Sequence, residues 1–562
     1  MSIKMFYAGE TIDNNDAFDS KMHLRSTWTP PNYGISCKIT GRMGRFRRRC
    51  KQLFKKKRGR SNLLPHHRAA LRYLQAHPEL VIIQCDMNLG PAVIEREEYI
   101  KLAYRDHLND TDTYQFLTPF EAQMKFGQIR MAIQNWINKY AATVSPQCKH
   151  YMKTKLKDNR DPHSYLYLTA KVHKGLNPLK SRPISSCSGS LLEPLGQAVN
   201  KPLQPHAQSQ PYYLHNSFEL LQDLMNLGEL PPNTYLFTAD AKSMYTNLKT
   251  NHCCQLLNDW LLSKEPGPTP EDPKEFDPTK ERKAIVAGLK ILMKFNIMKF
   301  GDLTILQKDG TAMGTPPAPS YAQATYGIWE MEFVPKFQDI ALYYKRYIDD
   351  VFGIITLANP AAHFRWDEFK TQLQAFPGLK WDIAPLTNKV DFLDLTISIN
   401  KENRIHTTLY EKDLNLHLYL PPHSAHPPGV LLGLIHGNVR RIYKLCSDPT
   451  DRETRTKEMF QHLLARGYKA PHIRPIFNKA IQKSQELDAP PAPVLDDDQP
   501  KNLVFFHLRY HPDGPKSSDI QQIWRETVSH PPYETPLEEL QNYTSSLLAP
   551  QDSWLLTADP SI

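Results

Sequence analysis

The hydrophobic and polar positions of the chain change period repeatedly between residues 65 and 400. Apolar residues three and four positions apart predict helices over 66–75, 97–107 and 119–140. Short apolar runs bounded by turn residues predict strands over 80–84 and 92–95. Because helices and short strands alternate in this way, the sequence predicts a mixed α and β class.

Two proline-rich breaks interrupt the later part of the chain. Residues 265–278 predict an exposed insertion loop, and residues 489–500 predict a linker. Before the linker, two helical patterns are separated near Gly467. After it, a strand over 503–508 and a helix near 520–528 predict a small C-terminal unit. The chain is therefore expected to contain several units.

Composition narrows the class of protein. Of 562 residues, 40% are hydrophobic and 10% are aromatic, which is ordinary for a globular chain and excludes a fibrous or wholly disordered one. No apolar run approaches the ~20 residues of a membrane span, so no membrane partner is expected. The eight cysteines show no CxxC spacing and no clustering with histidine, which disfavours a zinc site or a disulfide framework.

The net charge of +10 comes from one segment. Residues 38–60 hold 12 Lys and Arg and no acid, and the rest of the chain has 57 basic and 59 acidic residues, a net charge of −2. Such a run predicts nucleic-acid contact or nuclear import, and a solvated tail is the alternative. We therefore expect synthesis in the cytoplasm and a nuclear location.

The strongest chemical signal is a pair of adjacent carboxylates. β-prone residues over 342–355 surround Asp349 and Asp350, which predicts a hairpin with both acids at its turn. Two crowded carboxylates repel each other unless a cation neutralises them. A third acid, Asp240, ends the apolar run 234–239. If the two strands are neighbours, Asp240 and Asp349 can share two Mg²⁺ ions about 3.5 to 4 Å apart; the alternative is that Asp240 caps the following helix.

Four blocks in one order resemble the motifs of reverse transcriptases. They are TAKVHK with SRPIS at 169–174 and 181–185, FTADAKSMYTN at 237–247, AMGTPPAP at 312–319 and YIDD at 347–350. The YxDD core is the most specific of these strings, and its place behind the other blocks argues against coincidence. The chain resembles the Penelope-like retroelement branch, relatives of telomerase reverse transcriptase, through flanking segments at 86–94, 391–397, 440–448 and 466–468. The resemblance covers residues 65–530.

The resemblance implies a role for each matching acid and for one tyrosine. Asp240, Asp349 and the carbonyl of Ala241 would hold two Mg²⁺ ions, for which Mn²⁺ can substitute. Asp350 would tune the field beside them. Tyr245 would lie under the sugar of the incoming nucleotide and leave no room for a 2′-hydroxyl, and its alternative is an ordinary core tyrosine.

The resemblance also implies a nucleotide-binding surface. Lys171 and Arg182 match the positions that hold the incoming triphosphate, where cations neutralise charge on the leaving group. Surface salt bridges are the alternative for both side chains. Met313 and Gly314 would begin the segment beside the nascent base pair, with Gly314 allowing close approach of the backbone to the ligand.

The fold implied is a right-hand polymerase of the α+β class. Its parts would be a disordered basic arm (1–62), an N-terminal extension and fingers (63–230), a palm with an antiparallel sheet (231–410), a primer grip and helical thumb (411–488), a linker (489–502) and a small C-terminal segment (503–562). His417, His423 and His426 lie in the predicted primer grip, and their spacing fits no standard set of metal ligands. The basic faces of the thumb helices suit phosphate contacts, and a solvated surface is the alternative.

The function implied is RNA-directed DNA synthesis. Its partners would be an RNA template, a DNA primer or chromosomal 3′ end, and deoxynucleoside triphosphates. No GIY-YIG endonuclease string occurs in the sequence, so pre-existing ends or a partner endonuclease would supply the 3′ ends. Two alternatives are a catalytically silent, retroelement-derived nucleic-acid-binding protein and an RNA-dependent RNA polymerase. The sequence carries no signal of oligomeric state.

Overall fold

A computed structural model gives the fold of most of the chain. It describes residues 44–50, 52, 63–86, 89–144, 146–158, 163–264, 277–412, 414–427, 429–488, 503–506, 517–527 and 554–557. Most of the predicted basic arm, the insertion loop over 265–276 and the linker over 489–500 lie outside the described residues. The chain divides into two compact units. The larger comprises residues 73–419 and 440–465, and the smaller comprises residues 1–72, 420–439 and 466–562.

The described elements alternate between helix and strand. The longer helices are α1 Pro65–Ala76, α2 Arg96–Ala103, α3 Pro119–Trp136, α4 Pro146–Asp158, α5 Glu193–Gln208, α6 Ser217–Asn226, α7 Thr250–Ser263, α8 Pro278–Lys294, α9 Ala318–Phe333, α10 Pro360–Gln374, α11 Val430–Leu445, α12 Pro449–Ala465, α13 Ala470–Asp488 and α14 Ser517–Thr527. The strands are β1 Leu80–Gln84, β2 Pro91–Glu95, β3 Tyr114–Leu117, β4 Ser164–Ala170, β5 Ser181–Ser186, β6 Thr234–Ala241, β7 Asn296–Phe300, β8 Leu303–Gln307, β9 Ala341–Tyr347, β10 Asp350–Thr356, β11 Trp381–Ile383, β12 Lys389–Phe392, β13 Leu395–Ile399, β14 Ile405–Leu409, β15 Leu503–Phe506 and β16 Trp554–Thr557.

The predicted helix over 97–107 differs from the structure in its second half. α2 ends at Ala103, and the chain continues as a wider π-helical turn over Tyr104–Leu108. This turn places the carboxylate of Asp106 against β5, where its Oδ2 accepts hydrogen bonds from the backbone N–H of Ser181 at 2.9 Å and from its hydroxyl at 3.0 Å. A hydrophobic period cannot reveal such a turn, because the reason for it is a hydrogen bond to a distant strand.

A five-stranded sheet in the larger unit has the order β3-β8-β7-β4-β5. Its pairs are antiparallel except β4 with β7, which are parallel. Leu102 and Leu108 pack with Leu168 and Ile305 in its core, and all four side chains are buried. This core holds the β4–β5 hairpin, which carries two of the predicted phosphate-binding residues.

A four-stranded sheet in the same unit has the order β11-β6-β10-β9, and every pair in it is antiparallel. Phe352 and Ile354 of β10 pack with Leu395 and Ile397 of β13, which belongs to the three-stranded sheet β12-β13-β14. Burial of these large apolar side chains is the main stabilising contribution here, at about 1.5–3 kcal/mol each. The predicted α+β class and the predicted antiparallel sheet that carries the acids are confirmed.

Helix α9 is buried along most of its length. Tyr321, Ala324, Tyr326 and Phe333 have almost no exposed surface, so the helix is apolar around most of its circumference. Its buried polar residues, Gln323 and Glu330 among them, therefore need partners inside the protein.

The smaller unit contains residues 430–439 of α11 together with α13, α14, β15 and β16. The Tyr468 hydroxyl donates to the carbonyl oxygen of Leu420 at 2.8 Å. The rings of Phe46 and Trp524 pack edge to face with centroids 5.5 Å apart. β15 and β16 pair antiparallel.

Within the described ranges, every helix is too short or too polar to span a lipid bilayer.

Candidate active site

The three predicted acids meet at one end of the β6–β10 pair. Asp350 is the first residue of β10 and pairs in register with Asp240 of β6. Asp349 lies in the turn between β9 and β10, and its carbonyl oxygen accepts a hydrogen bond from the backbone N–H of Ala241 at 2.9 Å. The two acid-bearing strands are therefore neighbours, as expected.

The alternative interpretation of Asp240 as a helix cap is wrong. Asp240 lies inside β6, and the residue that precedes the short helix Met244–Asn247 is Ser243. Ala241 lies beside it, and the structure shows its N–H bound to Asp349. The role of the Ala241 carbonyl as a metal ligand stays a prediction.

The carboxylates repel one another. Burial, followed by the charges of Asp349 and Asp240, raises the pKa of Asp350 to about 7. Burial and then Asp349 also raise the pKa of Asp240. A divalent cation between them would offset this repulsion, and a set of carboxylate oxygens is what Mg²⁺ prefers. The donor set at this site therefore fits the predicted metal.

Three lysines act electrostatically on these acids. Lys174 and Lys171 both lower the pKa of Asp240, against the effects of burial and Asp349. Sequence reasoning quoted Lys174 within the TAKVHK block and gave it no role. Lys412, which follows β14, lowers the pKa of Asp350 in the same way. Nothing in the local sequence pattern marks Lys412, since it acts through tertiary structure.

The hairpin of β4 and β5 carries the predicted phosphate-binding pair. Arg182 of β5 pairs in register with Thr169 of β4. Lys171 follows β4 directly, and its N–H donates to the carbonyl oxygen of Lys180 at 2.8 Å. Burial, then the charges of Arg182 and Lys174, lowers the pKa of Lys171. Two cations this close are favourable when an anion binds between them.

Asp86 supports this pair, and sequence reasoning did not assign it a role. Its Oδ1 accepts a hydrogen bond from the hydroxyl of Thr169 at 2.8 Å. Its Oδ2 lies 3.4 Å from Nη2 of Arg182, whose side chain is 48% exposed. Arg182 therefore has the ion-pair partner that the salt-bridge alternative predicts. The exposed face of the guanidinium still leaves donors for a phosphate.

Tyr245 lies within electrostatic reach of both Asp349 and Arg182. Burial, then the charge of Asp349, raises its pKa to about 12, and Arg182 acts in the opposite direction. Its side chain is partly exposed, unlike that of a core tyrosine. The Tyr245 carbonyl oxygen accepts from the Thr311 N–H at 2.6 Å. Gly310, with φ of +73°, passes so close that a Cβ there would lie 2.3 Å from that carbonyl oxygen.

Gly314 makes a close backbone contact, but the contact is with the protein. The carbonyl oxygen of Met313 accepts from the Ser185 N–H at 2.7 Å. A Cβ on Gly314, whose φ is +110°, would lie 2.3 Å from the Ser185 carbonyl oxygen. The role of Gly314 in the approach of the backbone to a ligand stays a prediction. The glycine lets this segment clamp onto β5, the strand that carries Arg182.

A buried arginine holds the turn of the acidic hairpin. Arg346 of β9 has no exposed surface and forms a bidentate ion pair with Glu330 of α9, with both N···O distances 2.7 Å. Its Nη1 donates to the carbonyl oxygen of Ile348 at 2.6 Å and to Oε1 of Gln323 at 2.9 Å. The same Oε1 accepts from the Ile348 N–H at 3.2 Å. The backbone of the residue before Asp349 is thus bound at both ends.

The hydrogen bonds from Arg346 and Gln323 hold a turn whose backbone conformation is unfavourable. Ile348 has φ of +53°, which is rare for a β-branched residue and costs about 1–3 kcal/mol. Arg346 and Gln323 supply the bonds that keep Ile348 there. Sequence reasoning missed both residues because Lys345-Arg346 looks like two surface cations, while strand alternation turns Arg346 inward.

Comparison with known proteins gives distant likenesses. A model of the animal helix-turn-helix domain matches residues 418–478. No curated protein matches the chain. Among solved structures, the chain is similar to a telomerase from Candida albicans in complex with a TWJ fragment of telomeric RNA, at 10% identity and a TM-score of 0.46, covering 86% of this chain and 75% of that one.

Two further solved structures are similar at the same level. Apo telomerase from Candida tropicalis has 11% identity and a TM-score of 0.41, covering 94% of this chain and 87% of that one. The 3Dpol RNA-dependent RNA polymerase of a sicinivirus has 13% identity and a TM-score of 0.34, covering 60% of this chain and 71% of that one.

Proposed function

We propose that the chain is a nucleic-acid polymerase of the reverse-transcriptase type, which adds deoxynucleotides to a primer 3′-hydroxyl. The observation that carries the proposal is the site itself. Three carboxylates lie at one end of an antiparallel sheet, and one of them, Asp240, lies within electrostatic reach of Lys171, which follows β4 of the hairpin that also presents Arg182. Acids that hold divalent cations and cations that hold phosphates are the two parts that nucleotidyl transfer requires.

Each side chain has a task in this reaction. Asp240 and Asp349 would hold the Mg²⁺ ions, which when bound activate the attacking hydroxyl and neutralise the leaving pyrophosphate. Lys171 and Arg182 bind the triphosphate and stabilise charge that develops on its leaving group. Arg346 keeps Ile348, and hence Asp349, in place. Tyr245 occupies the space that a 2′-hydroxyl would need.

The proposed biological setting follows from the motif resemblance. An RNA template, a DNA primer or chromosomal 3′ end, and deoxynucleoside triphosphates are the partners we propose. We also propose a Penelope-like retroelement origin, nuclear action through the basic run at 38–60, and a partner endonuclease or existing nicks as the source of 3′ ends. RNA binding by the basic run should weaken steeply with salt.

Primer extension on a primed homopolymer RNA template with Mg²⁺ tests the proposal. The purified full chain is given either deoxynucleotides or ribonucleotides. Asp349→Asn is the inactive variant, and Asp496→Asn, in the acidic run of the predicted linker, is the matched control. Extension with deoxynucleotides alone, lost in Asp349→Asn and kept in Asp496→Asn, supports the proposal. Extension with ribonucleotides favours an RNA polymerase, and tight RNA binding without extension favours a silent binding protein.

A further inference from the structure

Three metal-ligating side chains converge outside the acidic site. Glu411 and His417 lie in the segment that follows β14, and His462 lies in α12. One ligand atom from each of the three lies within 4.8 Å of the other two, and all three residues are partly buried. His423 and His426, the other histidines of the predicted primer grip, are not part of this cluster.

The distances are close to those of a metal site. Nε2 of His417 lies 3.6 Å from Oε2 of Glu411. Ligand atoms of a tetrahedral Zn²⁺ site with bonds of 2.0–2.2 Å lie about 3.4 Å apart. The rings of His417 and His462 are stacked with centroids 3.5 Å apart and planes inclined by 18°. The two rings would have to rotate out of this stack for their nitrogens to bind one ion, and their ligand atoms already lie within 4.8 Å of one another.

His462 lacks a partner that a buried imidazole normally has. Its Nδ1 is buried, and no hydrogen-bond partner reaches it among the described residues. An unsatisfied buried polar atom is unfavourable, and a metal ion bound there would satisfy it.

The backbone at His417 is also constrained. Its φ is +45°, in the left-handed region that L-residues with a Cβ rarely adopt. Two local hydrogen bonds hold it there: the His417 N–H donates to Oδ1 of Asn415 at 3.1 Å, and the Tyr419 N–H donates to the His417 carbonyl oxygen at 2.6 Å. In this conformation the His417 ring lies beside Glu411 and His462.

We propose that Glu411, His417 and His462 bind one divalent transition-metal ion, of which Zn²⁺ is the representative. Two imidazoles and one carboxylate form a recognised zinc ligand set that leaves a fourth position open. Imidazole ligands favour Zn²⁺ and its neighbours over Mg²⁺, so this site differs in selectivity from the acidic one. The expectation that the chain lacks a zinc site came from cysteine and histidine spacing, which cannot reveal ligands drawn together by the fold.

The ion would join two parts of the larger unit. It would tie the segment after β14 to α12, and the residue next to Glu411 in that segment is Lys412. Lys412 lowers the pKa of Asp350. An ion that holds this segment in place would therefore also hold one cation near the acidic site. The zinc proposal does not depend on the proposed polymerase activity.

Direct metal binding tests the proposal. The purified full chain is stripped with a chelator, and Zn²⁺ is titrated in competition with a chromophoric chelator; Co²⁺ is then added to detect the visible bands of a four-coordinate site. We expect one high-affinity Zn²⁺ per chain. Glu411→Gln, His417→Ala and His462→Ala should each weaken it by more than about 100-fold, because loss of even supporting partners costs about 10- to 100-fold.

Two control variants distinguish loss of a proposed zinc ligand from loss of a neighbouring histidine or of an acid in the other site. His423→Ala removes an exposed histidine of the same stretch, and Asp349→Asn removes an acid of the other site; both should keep the Zn²⁺. Zn²⁺ should also raise the melting temperature of these two controls and of the parent chain, and leave that of His462→Ala unchanged. Absence of stoichiometric Zn²⁺ binding by the parent chain would overturn the proposal. So would Zn²⁺ affinities equal to that of the parent chain in Glu411→Gln, His417→Ala and His462→Ala.

Discussion

Replacing Arg346 with methionine should loosen the acidic hairpin and remove activity. The substitution keeps an unbranched side chain of similar length, but it deletes the bidentate pair with Glu330 and the donors to Gln323 and Ile348. Glu330 has no exposed surface, so its charge is left buried without a partner. The strained Ile348 loses the bond to its carbonyl oxygen at the same time.

The expected magnitude follows from the burial of the pair. Removing one partner of a buried ion pair costs about 3–5 kcal/mol, which corresponds to local opening about 150- to 5,000-fold more frequent. Replacing both partners removes the uncompensated charge. Arg346→Met with Glu330→Gln should therefore recover much of the lost stability, since the new amide oxygen can still accept from the Tyr344 hydroxyl that binds Glu330 at 2.7 Å.

Hydrogen exchange read by mass spectrometry measures this opening segment by segment. Peptides over β9, β10 and α9 should exchange much faster in Arg346→Met and near the parent rate in the double variant. Both variants should remain defective in nucleotide incorporation, because neither has a donor for the Ile348 carbonyl. Arg365→Met, which breaks partly exposed pairs with Asp339 and Glu368, is the control and should cost about 1 kcal/mol or less.

Two results would refute this reasoning. One is exchange in Arg346→Met no faster than in Arg365→Met, which would mean that the buried pair does not hold the hairpin. The other is a double variant that regains activity together with stability. In that case Arg346 would serve only to neutralise Glu330, and the bond to Ile348 would have no part in placing Asp349.

Three further substitutions test single contacts of the site. Tyr245→Ala should admit ribonucleotides, and unchanged sugar selectivity in competition assays would count against a steric gate. Arg182→Ala should lower single-nucleotide incorporation about 10- to 150-fold, mainly through weaker triphosphate binding, since a hydrogen bond to a charged group contributes about 1.5–3 kcal/mol. If the dependence of the rate on nucleotide concentration is unchanged, Arg182 is a partner of Asp86 only. Gly314→Ala places a Cβ against the Ser185 carbonyl oxygen and should destabilise that contact by about 1–3 kcal/mol. Hydrogen exchange in β5 should then be faster. Exchange at the parent rate would show that the segment can shift without loss of stability.

The order of apolar, polar and turn residues predicted the helices and strands well wherever neighbouring residues alone determine them. The apolar run over 80–84 coincides with β1, and the β-prone residues around Asp349 form the expected hairpin. Asp240 also lies at the end of its strand, as its sequence predicts, and there it pairs with Asp350. These features depend on side-chain period and turn chemistry, which are properties of neighbours in the chain.

The supporting residues could not be predicted because their partners are remote in sequence. Arg346 finds Glu330 on a helix, Asp86 finds Arg182 on β5, and His462 approaches His417 from α12. In each case the local sequence shows only an ordinary charged or polar residue. The roles that the motif resemblance implies for Lys171, Tyr245 and Met313 stay predictions, and the predicted domain boundaries do as well.

The most direct test of the central proposal is incorporation of one deoxynucleotide under single-turnover conditions with Mg²⁺. The rate is compared for the parent chain, Asp349→Asn and Asp496→Asn on one primed RNA template, with template binding measured in parallel. The account predicts that Asp349→Asn binds template normally and is slower by more than about 100-fold, as expected for loss of transition-state charge stabilisation, while Asp496→Asn keeps the parent rate. Incorporation by Asp349→Asn at the rate of the Asp496→Asn control would contradict it.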